Sequence, residues 1–150
     1  MIIDAHGLEI ELPPGWSGRV FVRPGGIATL HAGSFPISLS DGEFGDRSTG
    51  LMPAAATFLA LTEYQPGAGL EPGVGLFAQR RIRVPLDPLR LARSGLAHPR
   101  AGQAGMQEFF TSSGRPFCLY VVLAGGRSVR RDQLTVVDRV LRSLRISEQV

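Results

Sequence analysis

Residues Pro116–Leu123 read PFCLYVVL, eight positions without a charged side chain. A strand with one wet face alternates apolar and polar residues; this run is apolar on both faces. It predicts a central strand covered on both sides. Upstream, SSGR (Ser112–Arg115) reads as a turn, and AGMQEFF (Ala104–Phe110) as the strand before it. Downstream, Leu134, Val137, Val140, Leu141 and Leu144 recur at helical spacing and make one apolar face. Arg139, Arg142 and Arg145 lie toward the end of that helix, where the helix dipole favours cations. A buried strand and an amphipathic helix define the fold class: α+β, an antiparallel β-sheet with the C-terminal helix packed on one face.

The first half adds strands. LEIEL (Leu8–Leu12) alternates strictly, and Pro13 and Pro14 end it by removing two backbone donors. Gly15 and Trp16 follow. GRVFVR (Gly18–Arg23), with Val20 and Val22 inward, and IATLHA (Ile27–Ala32) are joined by a Pro24-Gly25-Gly26 turn, which suggests an antiparallel meander. Residues 33–52 look irregular. ATFLALTEY (Ala56–Tyr64) carries both helix and strand signals; the bounded apolar run with aromatic ends favours strand. Residues 65–103 form a long connection rich in proline, glycine and arginine. Within it RIRV (Arg81–Val84) suggests a short edge strand. DPLRLARSG (Asp87–Gly95) suggests a two-turn helix with Asp87 as N-cap and Pro88 in the first turn. This short helix and long loop are expected to cover the second face of the sheet.

The 150 residues fit one domain, 1–150. With 43% hydrophobic and 19% charged residues the composition is that of a folded chain. Nineteen glycines and eleven prolines favour strands joined by loops over long helices. No run approaches the ~18 apolar residues of a membrane span. The start, MIIDAHG, has no basic segment, so no secretory signal is expected there. Cys118 is the single cysteine, so no internal disulfide forms, and a cytoplasmic location is expected. All sixteen cationic side chains are arginine and asparagine is absent, a bias that a GC-rich coding sequence explains. Residues 1–79 hold three arginines and eight acidic residues; residues 80–150 hold thirteen arginines and five. The basic half could attract nucleic acid. The clusters Arg80, Arg81, Arg83 and Arg127, Arg130, Arg131 are short, however, which argues against nucleic-acid binding.

The opening LEIELPPGW and the closing GRPFCLYVVL…LTVVDRVLRSLRI together resemble the Mog1/PsbP-like superfamily: a strand, proline, glycine and tryptophan at one end, a central strand and final helix at the other. The resemblance implies an α/β/α sandwich built on an antiparallel sheet. It also implies a mostly non-catalytic role, since members bind a small GTPase, sit on photosynthetic complexes or serve as lipoproteins. The lipoproteins' signal and lipidated cysteine have no counterpart here, so membrane anchoring is not carried over. No partner-binding residue transfers.

Candidate chemistry is sparse. Cys118 lies in the most apolar run, where a thiol behaves as a small hydrophobe. His6, near an end expected to fray, His31 and His98 lack metal-ligand spacing. GVGLFA (Gly73–Ala78) matches a dinucleotide fingerprint as text but lacks the flanking strand and helix that chemistry needs. Asp41, Glu43 and Asp46 are expected to form a solvated turn, and Glu63 and Glu108 could approach each other on neighbouring strands. Trp16 reads first as a lid on the core, with an interface role as the alternative. No cofactor and no metal are expected.

The leading expectation is a non-enzymatic domain that binds another protein or joins a larger assembly, with no membrane partner. Its contacts would come from Trp16 and from the connection: Arg80, Arg81, Arg83 and Arg90, with Leu76 and Phe77 as anchors. The alternatives are a small-molecule site or enzyme between sheet and connection, using Cys118, His31 and Glu108, and nucleic-acid binding through the arginines.

Overall fold

The computed structural model describes residues 1–25, 27–67 and 69–148; Gly26 of the expected turn and Ala68 of the connection lie outside them. The chain forms two antiparallel sheets and few helices. Strands β1 (Ile2–Ala5), β2 (Leu8–Glu11) and β8 (Arg145–Ile146) make a small sheet in the order β1-β2-β8. The larger sheet comprises β3 (Ser17–Arg23), β4 (Ile27–Gly33), β5 (Thr57–Glu63), β6 (Gln103–Ser112) and β7 (Arg115–Ala124), in the order β3-β4-β5-β7-β6. Helix α1 spans Asp46–Gly50 and helix α2 spans Arg127–Ser143.

All ten residues of β7 are buried, as are all seven of β5, its neighbour. Apolar residues on both faces of PFCLYVVL therefore place it between β5 and β6. The strand reading of 56–64 holds for Thr57–Glu63. Strands β6 and β7 are joined by Ser113 and Gly114 alone, both at positive φ (52° and 72°). That is the two-residue turn whose twist suits a hairpin.

The side chains of Leu59, Leu61, Leu119, Val121, Met106 and Phe110 share one face, on which Leu134, Val137, Val140 and Leu141 of α2 pack together with Leu8, Ile10 and Leu12. Each buried aliphatic side chain contributes about 1.5–3 kcal/mol. Gln133, in the second turn of α2, fastens the helix to the sheet by donating to the carbonyls of Ala56 (3.2 Å) and Ala124 (2.8 Å). The opposite face carries Phe58, Ala60, Tyr120 and Val122, covered by Phe35, Ile37, Phe44 and Met52 and by Leu96 and Ala97. Residues 33–52, read as irregular, thus do most of the covering expected of the connection.

Three readings of the first four strands are corrected. The meander fails at its first step, because β2 pairs with β1 and β8 while β3 pairs with β4. Pro13, Pro14 and Gly15 turn the chain from one sheet into the other. Residues 1–5 do not fray: Ala5 and Leu8 close a hairpin through His6 and Gly7, at φ 53° and 77°. Val22, expected inward, is 45% exposed, one residue from the end of an edge strand.

The connection follows the outer edge of β6. Ala92 and Gly105 exchange backbone hydrogen bonds of 3.0 Å, Thr111 N donates to Gln79 O at 2.7 Å, and Arg90 Nη2 donates to Gln107 O at 2.9 Å. Covering an edge in this way removes its capacity to pair with another chain. Arg81–Val84 is not a strand, and the helix expected at Asp87–Gly95 is instead two single 3-10 turns, Pro88–Arg90 and Arg93–Gly95. The Ala92–Gly105 bridge extends the backbone between the two turns, where a helix would need it coiled. Asp87 still caps the first, accepting from Leu89 N at 2.9 Å.

Candidate binding grooves beside the C-terminal helix

Residues 79–91 cross α2 as a strap, and two buried carboxylates hold it. Glu108 on β6 gathers Gln79 Nε2 (2.6 Å), Arg83 Nε (3.4 Å) and Arg90 Nη1 (3.5 Å) on Oε1. Asp138 on α2 accepts Leu86 N at 3.0 Å. Both acids are nearly inaccessible, at 3% and 8%. A buried carboxylate needs such partners, since desolvation without them costs several kcal/mol.

The Leu86–Asp138 tie leaves a groove on either side. Toward the C-terminus of α2, Arg81, Arg83, Arg142 and Arg145 surround Ile82, Val84, Pro85 and Leu141 in a groove of about 720 Å3. It continues into a smaller recess of about 170 Å3 between Ile82, Val84, Phe110, Leu141, Leu144 and Ile146. No acidic residue lines either space. Among the described residues, Arg81, Arg142 and Arg145 have no carboxylate within 4.0 Å. Arg145 instead donates to the carbonyls of Arg142 (3.2 Å) and Leu144 (3.3 Å), closing the end of α2, and Glu9 is its register partner on β2.

The expected contact residues scatter. Arg81 and Arg83 meet in the groove. Arg90 is spent on Glu108 and Gln107, and Arg80 lies against Gly73. Leu76 is 55% exposed, but Phe77 is fully buried, with ring centroids 5.7 Å from both Tyr64 and Phe109; it is a plug under the connection and not an anchor for a partner. Trp16 precedes β3, at the sheet edge opposite β6, where it is half-buried against the core. Arg142 and Arg145, read only as dipole partners of the helix, are the residues that complete the groove.

The trio Cys118, His31 and Glu108 is not brought together. Cys118 pairs with Thr62 and Phe109, and His31 with Ala60, on the face away from α2; Glu108 pairs with Leu119 on the other. Burial pushes the Cys118 thiol up to about 12, the reverse of what a nucleophile needs. His31 is fully buried between Phe21 and Phe58, with Nε2 3.2 Å from Glu43 O and Nδ1 without a partner. Burial lowers its pKa, so it is a neutral core histidine.

The carboxylates of the 41–46 segment take separate partners: Asp41 accepts from the backbone of Arg47 and Ser48, Glu43 pairs with Arg23, and Asp46 pairs with Arg100. Glu63 and Glu108 do not pair either: Glu63 engages Arg115 on β7, and Glu108 engages Arg83 and Arg90 of the connection. Among the described residues no three His, Cys, Asp or Glu side chains gather closely enough to hold a metal ion, and no helix is long and apolar enough to cross a membrane. Comparison with protein-family models, with curated proteins and with solved structures finds no match to the chain.

Proposed function

We propose that the protein is a non-catalytic binding domain that takes an acidic, apolar-tipped segment of a partner protein in the groove between residues 81–85 and the end of α2. One observation carries this reading: Arg81, Arg83, Arg142 and Arg145 surround an apolar floor with no acidic residue in the lining. The arginines supply orientation and a salt-sensitive encounter rate. The recess between Phe110, Leu141 and Leu144 takes one aliphatic side chain and supplies the desolvated contact that dominates affinity at interfaces. The inert thiol and neutral His31 support a non-catalytic role, which the Mog1/PsbP-like resemblance also implies.

The test is fluorescence anisotropy with a labelled peptide rich in aspartate and containing one leucine. Its asparagine counterpart and a short DNA duplex are the controls. Binding that prefers the acidic peptide, and that is lost in Arg81→Glu/Arg142→Glu without a change in Tm, is the expected result. Preference for the duplex would favour nucleic-acid binding, and equal binding of both peptides would remove the charge argument.

A further inference from the structure

The groove on the other side of the strap has a different build. Arg127, Arg130 and Arg131 line it together with Pro88, Leu89, Leu91 and Leu134, around a space of about 540 Å3. Sites for small organic molecules measure roughly 300–1,000 Å3. We infer that this groove is a separate binding site for a monomeric organic anion with an apolar body.

Two features point to such an occupant. The first is Leu89. It is 90% exposed, yet it is fixed there by a turn that Asp87 caps through Leu89 N. Beneath it Leu91 and Leu134 are each 6% exposed, so the groove has an apolar floor and a raised apolar wall. A ligand body lying between them would take the leucine out of water.

The second is charge. Arg127 and Arg131 are four residues apart on one helix and Arg130 is three from Arg127, the spacings at which like charges repel. The first turn of α2 holds no acidic residue, and among the described residues no carboxylate lies within 4.0 Å of any of the three. An anionic head group placed among them relieves that repulsion and accepts charge-assisted hydrogen bonds. Head and body are thus specified together: a carboxylate, sulfonate or phosphate joined to an aliphatic or aromatic body. An acidic peptide, which the groove beyond Leu86 suits, lacks so large an apolar fraction.

The test uses the intact chain and 8-anilinonaphthalene-1-sulfonate as the reporter. Decanoate is expected to displace the dye and to raise Tm by mass action on the folded state. Decanol and acetate at the same concentration are expected to do neither. Arg127→Gln/Arg131→Gln and, separately, Leu89→Ser should each weaken decanoate about tenfold while the Tm of the free protein holds. Arg81→Glu/Arg142→Glu should leave decanoate binding intact, so failure of the peptide site and failure of this one are told apart. Equal displacement by decanol, unchanged affinity in both groove variants, or binding to anionic vesicles in place of monomeric decanoate would each overturn the inference.

Discussion

Arg115 and Glu63 form a two-pronged ion pair inside the protein: Nε and Nη2 donate to the two carboxylate oxygens at 2.9 Å each. The arginine does more than neutralise the acid. Its Nη1 donates to Ser147 O at 2.9 Å and its Nη2 to His6 O at 3.0 Å. One side chain on β7 therefore holds β5, the β1–β2 turn and the segment after β8. Both partners are buried. Removing one leaves the other charged and unpaired, at a cost of about 3–5 kcal/mol. Arg115→Ala is expected to lower the unfolding free energy read from a urea titration by that amount, and the midpoint with it. A Glu63→Leu/Arg115→Met double variant should recover much of the loss; if the two unfold at the same midpoint, the pair is not the source of the effect.

His31 gives stability a pH dependence. Its folded pKa lies below 6.5 because burial disfavours the charged ring. The unfolded chain therefore binds a proton that the folded chain resists. Stability from this group is full above the unfolded value of ~6.5 and is lost as pH falls from there through the lower folded pKa. Chemical denaturation of the wild type should show stability falling from pH 7 to pH 5. His31→Phe should flatten that interval; an unchanged slope would place the titrating group elsewhere.

Cys118 makes the opposite prediction on the alkaline side. Its thiol is held neutral, up to about 12, against an ordinary value of 9.0. With the sulfur fully buried, iodoacetamide can reach it only when the chain opens. The labelling rate should follow the global unfolding equilibrium across a urea series. Rapid labelling of the native protein at pH 8 would show that the sheet does not cover the thiol.

How far the sequence reaches depends on the range of the interaction. β7, β5 and α2 were legible because burial on both faces, or on one stripe, is written in adjacent residues. The small sheet was not. Its third strand is Arg145–Ile146, and nothing local in Leu8–Leu12 says that the partner lies at the other end of the chain. Helix α1 escaped because Asp41 and Gln103, both outside it, satisfy its two ends: Asp41 accepts from the Arg47 and Ser48 amides, and Gln103 Nε2 donates to Thr49 O. Phe77 read as an anchor because it lies in a connection rich in glycine and proline; contact with Phe109 and Tyr64 overrides that signal. The arginines of the groove were visible one by one. Their assembly was not, since Arg81 meets Arg142 only because Leu86 and Asp138, 52 residues apart, are joined.

That joint offers a test in which charge and geometry predict opposite results. Asp138→Ala leaves Leu86 N–H buried without an acceptor, at a cost of about 1–3 kcal/mol; Asp138→Asn keeps an oxygen in place and should cost less. The alanine variant should also speed hydrogen exchange at the Leu86 amide. Losing an acid beside two arginine-lined grooves makes the surface more positive, so long-range attraction alone would tighten binding of an acidic peptide. Loosening the strap spreads Arg81 and Arg83 away from Arg142 and Arg145 and should weaken it. Weaker binding in Asp138→Ala, with near-normal binding in Asp138→Asn, is the outcome expected if the strap sets the groove. Tighter binding in both variants would mean that the arginines act only as a diffuse field.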